Sequence, residues 1–275
     1  MTMLSINTNI GALNASQSSY SVNNSMETSM ARLSSGNRIN SAADDAAGLQ
    51  IARRMDTEIQ GLNQAVRNAA DAQALLQTAE GALDEVHTIL LRIRELSVQA
   101  SNGTYGAQDR LAIQAEVTDL QSEITRISND TTWNSISLIE GSQSTGITFQ
   151  IGADNTQTVT VAIANIALAT LSIGGTSQVT TATNAMSYIA AVDKAISVIS
   201  TNRGTYAAAI NRLDHSVANM QDAATNLAEA KGRITDADFA AETSNLSRTQ
   251  VLQQASMAML AQANASKQNI LTLIQ

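Results

Sequence analysis

Two acidic pairs, Asp44-Asp45 and Asp236-x-Asp238, and two histidines, His87 and His215, are the residues whose types could carry acid–base or metal chemistry. Carboxylates so close in sequence can share a proton or a cation. A calcium loop would also need a glycine-kinked twelve-residue turn closed by a bidentate glutamate, and neither pair has one. The histidines lie far apart, without the HExxH spacing of a zinc helix, and read as solvated residues on helix faces. Cysteine is absent, which excludes thiolate catalysis, disulfides and cysteine-ligated metals. No phosphate-cradling glycine loop, GxSxG elbow or GxGxxG turn occurs. The acidic pairs are better explained as caps near helix N-termini, where a carboxylate satisfies free N–H groups and complements the dipole. The expectation is a chain that is not an enzyme and has neither a cofactor nor a metal site.

The elements that hold these residues are helices. Of the 275 residues 44% are apolar but only 3% aromatic, and there is no proline, a mix that permits long uninterrupted helices packed through aliphatic and small side chains. Met55, Leu62, Ala69, Leu76, Leu83 and Leu90 recur every seven residues, reinforced by Ile59, Val66, Val86 and Ile93. One helix over residues 44–100 follows, about 85 Å long at 1.5 Å per residue. Residues 101–106, Ser-Asn-Gly-Thr-Tyr-Gly, break it. Ile113, Val117, Leu120, Ile124 and Ile127 then predict a second helix folded back on the first.

Between Trp133 and Ile173 the period changes to two. Ile147, Phe149 and Ile151, a Gly152–Asn155 turn, and Val159, Val161 and Ile163 predict a β-hairpin. Gly174-Gly175 and the Ser/Thr-rich run to Thr183 read as an exposed loop. The Ser/Thr content from Ser142 to Thr183 reads as ordinary hairpin and loop chemistry. From Ile189 through Val192, Ile196, Ile199, Tyr206, Ile210, Leu213, Val217, Met220 and Leu227 the helical period returns. Thr235 or Asp236 then caps a final helix.

Both ends carry amphipathic stripes without a local partner. Ile6, Ile10, Leu13, Tyr20, Met26, Met30 and Leu33 form one, and Leu252, Ala255, Met259, Leu260, Ile270 and Leu273 the other. The simplest way to bury both is against each other. A two-helix section covers only one side of each helix, so flanks such as Met257–Ala261 would stay in water unless copies of the chain covered them.

The net charge of −8 and the lack of a basic, aromatic-interleaved patch disfavour nucleic acid. No segment approaches a membrane span, and the first basic residue is Arg32, so the start lacks the charged region of a secretory signal peptide. Export, if it occurs, is expected by another route.

The run Arg32–Leu49, RLSSGNRINSAADDAAGL, closely resembles the N-terminal signature of bacterial flagellins. Residues 230–238, AKGRITDAD, then Gln253–Ala255 and Ala258–Asn264, resemble the C-terminal signature in the same order, and Arg92–Ala100 with Gln114–Glu116 look like the rod region. The resemblance covers nearly the whole chain. It implies a mainly α fold, a long helical coiled-coil rod with one hairpin region and paired N- and C-terminal helices. Residues 1–43 and 235–275 would form the terminal coiled-coil domain of a filament's inner layer. Residues 44–234, with the hairpin at 133–173, would form a helical rod domain outside it, short of the variable outer domains inserted near Gly174 in larger members. Departures occur at Trp133-Asn134-Ser135, where members usually show Phe-Asn-Gly, at Ala265-Ser266-Lys267, which replaces a proline-containing segment, and at Leu91, commonly Gln.

The function implied is that of a structural subunit polymerising into the extracellular flagellar filament for swimming motility, the alternative being a hook–filament junction protein. Implied partners are other copies of the chain, the flagellar type III export apparatus, an export chaperone at the C-terminal helix, and the filament cap and junction proteins. Arg92 and Leu96 share a helix face, and Glu116 on the returning helix can lie beside them. By residue chemistry alone this is a surface charge pair beside a core leucine. By resemblance the three match positions that contact the host innate flagellin receptor in many flagellins.

Overall fold

The computed structural model describes residues 8–175 and 178–272, with side chains to residue 267. Ile6 and Leu273 lie outside the described residues, as does the side chain of Ile270. The element order is α1 (Ile10–Ser35), α2 (Ala46–Ser101), α3 (Ala107–Asp130), β1 (Thr132–Trp133), β2 (Ile136–Ser137), β3 (Ile147–Gln150), β4 (Thr158–Val161), α4 (Ala182–Thr235) and α5 (Phe239–Thr272). Two compact units divide the chain, residues 58–225 and residues 1–57 with 226–275. The division falls within α2 and α4 rather than in the loops flanking them.

In the unit of residues 58–225 the seven-residue series of α2 is the core. Ala69, Leu76, Leu83 and Leu90 are fully buried with Val86 and Ile93. α4 answers with Val192, Ile199, Tyr206, Leu213 and Met220, again seven apart. Polar contacts at three levels follow the same antiparallel register along these two helices. Gln73 donates to Asp214 at 2.7 Å, Arg203 reaches both Glu80 and Asp84 at 2.7 Å, and Arg94 reaches Asp193 at 2.6 Å. Such half-exposed pairs add little stability each, but a slipped register would separate all three.

The sequence reading needs four corrections here. First, α4 begins at Ala182, well before Ile189, and places Ala185 and Tyr188 in the core. Second, α4 runs through Gly232 to Thr235, so Thr235 and Asp236 do not cap the last helix. Asp238 does, its carboxylate accepting from the N–H groups of Ala240 and Ala241 at 2.9 and 3.2 Å.

Third, the described residues hold two hairpins. β3 and β4 pair antiparallel, Ile147 with Val161 and Phe149 with Val159, leaving Ile151 and Ile163 outside the strands. β1 and β2 pair Trp133 with Ile136 across a two-residue turn in which Asn134 and Ser135 have φ of 46° and 66°. Both central residues with positive φ define the mirror-image turn that suits a tight hairpin, a conformation glycine would adopt without strain.

Fourth, residues 162–173, read as part of the hairpin region, are irregular chain whose Ile163, Ile166, Leu171 and Ile173 join the core, and in the loop read from Gly174 to Thr183 Val179 is buried while Gly174 and Gly175 are exposed. Irregular backbone inside a core must find partners for its polar groups. α3 supplies them from Gln114, Gln121 and Ser128, seven apart and all buried. Gln114 accepts from the Val179 N–H at 2.8 Å, Gln121 donates to the Ile173 carbonyl at 2.6 Å, and Ser128 donates to the Ile139 carbonyl at 3.5 Å.

The candidate assembly interface

In the unit of residues 1–57 and 226–275, α1 and α5 pair along their length. The chain ends do meet, but not through the stripes read from the sequence. On α1 the positions withdrawn from solvent are Ala12, Ala15, Ser19, Val22, Met26, Ser29 and Leu33, stepping by three and four. On α5 they are Glu242, Leu246, Thr249, Gln253, Ser256, Leu260 and Ala263, in the same rhythm. Small side chains let the two helices approach, and polar ones fix the register. Asn9 donates to the Ala263 carbonyl at 3.2 Å while its own amide oxygen caps α1 at Ala12 N. Gln253 donates to Asn23 at 2.9 Å, and Arg32 stands 3.9 Å from the buried carboxylate of Glu242.

The large apolar residues point elsewhere. Ile10, Leu13, Tyr20 and Met30 of α1, with Val251, Leu252, Met257 and Met259 of α5, are between 45% and 65% exposed. Ala255 is also exposed. Of the residues named for the end stripes whose side chains are described, only Met26, Leu33 and Leu260 sit partly in the seam. Fully burying an aliphatic side chain is worth about 1.5–3 kcal/mol, so eight half-exposed ones leave on the order of 10 kcal/mol to be gained by covering this surface.

The turns flanking this pair are held by paired backbone. Gly36, at φ 72°, ends α1, and the two linkers cross-bond, Arg38 N to the Thr235 carbonyl at 2.6 Å and Ala237 N to the Gly36 carbonyl at 2.9 Å. The Arg38 guanidinium donates to the Ile234 carbonyl at 2.7 Å.

Of Asp44 and Asp45, Asp45 is the cap that its sequence position suggested, whereas Asp44 closes the turn that precedes the helix. Asp45 accepts from the Gly48 N–H at 2.8 Å at the start of α2. Asp44 accepts from the backbone and hydroxyl of Ser41 and from Asn40 N, which holds its carboxyl below the usual range, Ser41 contributing most. Asp56 is lowered too, by the Lys231 ammonium 2.6 Å away. His215 is exposed and His87 is half-buried, and no group of three metal-ligating side chains gathers among the described residues.

Arg92 and Glu116 do meet: the guanidinium donates twice to one carboxylate oxygen, at 3.0 and 2.8 Å, and also reaches Glu95. Glu116 then Glu95 raise the Arg92 pKa. Both side chains are half-exposed, whereas Leu96 is 2% exposed and belongs to the core. The small and polar seam was not found from the sequence. Its signal was present as a three–four rhythm in which Ala, Ser, Thr, Gln and Glu alternate with Val22, Met26, Leu33, Leu246 and Leu260, a weaker contrast than that of the adjacent Ile, Leu and Met.

The fold is mainly α, with α1 and α5 paired through a largely polar seam and large apolar side chains left exposed on both helices. Residues 6–144 match the bacterial flagellin N-terminal helical region, and residues 189–274 the bacterial flagellin C-terminal helical region. Flagellins of Halalkalibacterium halodurans and Bacillus subtilis are 42% and 39% identical to it, each over 98% of this chain and 99% of the relative. The chain belongs to the bacterial flagellin family. The crystal structure of Bacillus cereus flagellin, 32% identical, superposes with a TM-score of 0.51 over 60% of this chain and 94% of that one. A flagellar hook-associated protein from Vibrio parahaemolyticus shares the fold at a TM-score of 0.59, over 70% of this chain and all of that one, but is 14% identical.

Proposed function

We propose that this chain is the structural subunit that polymerises into the extracellular filament of the bacterial flagellum and so serves swimming motility. The observation that carries the reading is the outward apolar surface of α1 and α5, on the module formed by the chain ends. Ile10, Leu13, Met30, Leu252, Ala255 and Met259 meet neighbouring copies, Met26, Leu33 and Leu260 hold the pair, and the reading also assigns Ile6, Ile270 and Leu273, whose side chains lie outside the described residues, to polymerisation. The mechanism has no chemical step. Ends paired through small side chains order fully when neighbours bury their outer faces, offsetting the entropy of ordering. Contacts that repeat head to tail without closing build an open helix. Residues 1–43 with 235–275 form the inner layer and 44–234 the layer outside it.

The same exposed ends need the flagellar type III export apparatus, a chaperone over α5 before export, and the cap and junction proteins at the filament's tips. The hook–filament junction alternative rests on the shared fold alone. A second reading, a ligand for the host innate flagellin receptor, is favoured by the exposed Arg92–Glu116 pair. Leu96 would support that face from beneath. Loss of receptor binding in Arg92→Ala and Glu116→Ala supports it, and unchanged binding ends it.

The main reading is tested by adding purified chain to short filament seeds and viewing the product by electron microscopy. Growth of long filaments from this chain alone is expected, which separates it from a junction protein. Chains lacking residues 1–35 or 250–275 should remain soluble monomers, and filaments formed by either truncation would refute the mechanism.

A further inference from the structure

Methionine is the only sulfur residue in this chain, nine in all with no cysteine, so any two-electron oxidation of sulfur falls on thioethers. Their placement is uneven. Met30 on α1 and Met257 and Met259 on α5 are each more than half exposed, on the module whose apolar surface faces outward. Met220 in the core is 5% exposed, and Met186, on α4 in the other unit, is exposed outside the paired-end module. Susceptibility to oxidation follows exposure, and conversion to the sulfoxide turns an apolar side chain into a polar one.

We infer that Met30, Met257 and Met259 are separate peroxide-sensitive modification sites whose oxidation switches the free subunit from assembly-competent to assembly-incompetent. The inference rests on the filament reading above. In each event the sulfur lone pair attacks one peroxide oxygen. The S–O bond forms, the O–O bond breaks, sulfur is oxidised by two electrons, and hydrogen peroxide is reduced to water. Each subunit then carries three strongly polar S=O groups on exposed flanks of the paired-end module whose burial depends on apolar contact. Their desolvation opposes assembly, while in the α1–α5 seam the one methionine among the described residues, Met26, is half-buried and less open to attack than these three. Once neighbours cover these flanks the same thioethers are shielded, so oxidation acts on subunits before assembly rather than on finished filament.

The test treats the full-length subunit with dilute hydrogen peroxide, reads each methionine by peptide mass spectrometry, and measures the critical concentration for seeded assembly. Met30, Met257, Met259 and Met186 should oxidise at least about tenfold faster than Met220, as their exposure dictates. The critical concentration of oxidised protein should rise by about tenfold or more, the equivalent of one unit of log affinity. Met30→Leu/Met257→Leu/Met259→Leu, which keeps volume and apolarity, should assemble equally well before and after treatment, whereas Met186→Leu should remain as sensitive as the parent. Repair of the oxidised parent with methionine sulfoxide reductases and a thiol should restore assembly. That arm decides the matter should the triple variant fail to assemble untreated. Unchanged assembly of the oxidised parent, equal sensitivity of the triple variant, or no recovery on repair overturns the proposal alone. Failure of the untreated parent to form filaments overturns the filament reading and this proposal with it.

Discussion

The side-chain amide of Gln121 on α3 donates to the hydroxyl of Tyr188 on α4 at 2.8 Å, and both groups converge on the carbonyl of Ile173, at 2.6 and 3.0 Å. Three segments distant in sequence are joined at one buried oxygen. Burial pushes the Tyr188 phenol above its ordinary pKa, with the Gln121 bond acting against the shift. The arrangement explains how an irregular stretch of backbone can line a helical core: its polar groups are met by a ladder of α3 side chains rather than by a sheet.

Gln121→Leu keeps the volume but removes the donor, leaving the carbonyl with Tyr188 alone and the tyrosine hydroxyl without its second partner. The loss is about 1–3 kcal/mol. The thermal midpoint of the full chain should fall by several degrees, and amides around Ile173 and Val179 should exchange faster than in the parent. A midpoint unchanged within about 1 °C, given the usual entropy of a domain this size, would count against the ladder.

Acid should loosen the base of the paired-end unit. Asp56 titrates below its ordinary 3.8 because Lys231 bonds it, and Asp44 does so because Ser41 and Asn40 bond it. With the folded value depressed, the unfolded chain takes up protons first as pH falls. The stabilisation is therefore present above about pH 4 and lost as pH drops through the folded values. Thermal midpoints measured from pH 6 to pH 2 should decline for the parent and more gently for Asp56→Asn. Parallel curves would show that the pair contributes nothing.

The seam makes a separate prediction. Replacing Asn23 and Gln253 together by Leu exchanges a hydrogen bond of 2.9 Å for apolar contact between α1 and α5. Exchanging both partners at once avoids stranding either group, so the isolated subunit should gain helix stability, while register becomes less tightly specified. Circular dichroism melting of the subunit should shift upward. Seeded filaments of the double variant should be fewer or irregular. A lower melting temperature would mean that the polar pair is itself the main support.

The helices of the central unit were legible in the amino-acid sequence because Leu76, Leu83 and Leu90, and opposite them Val192, Ile199, Tyr206 and Leu213, contrast sharply with their polar neighbours. A seven-residue recurrence of large apolar groups has one economical solution, and those residues are buried. The family, too, was readable from the paired end signatures. The start of α4 was not, because Ala182–Tyr188 lacks large apolar contrast until Tyr188 packs. The Gln114, Gln121 and Ser128 ladder was hidden because its partners are backbone groups far along the chain.

The clearest division lies at the ends. Composition and periodicity alone determined that residues near both termini form amphipathic helices with more apolar surface than one chain can cover. Only the tertiary structure decided which face each helix spends on the other. Hydrophobicity ranks Ile10, Leu13 and Met259 above Ala12, Ser29 and Thr249, yet close approach of two helices selects small side chains and polar groups that find partners across the gap. The large residues are left for whatever surface comes next, a choice set by packing geometry rather than by the apolarity of any residue.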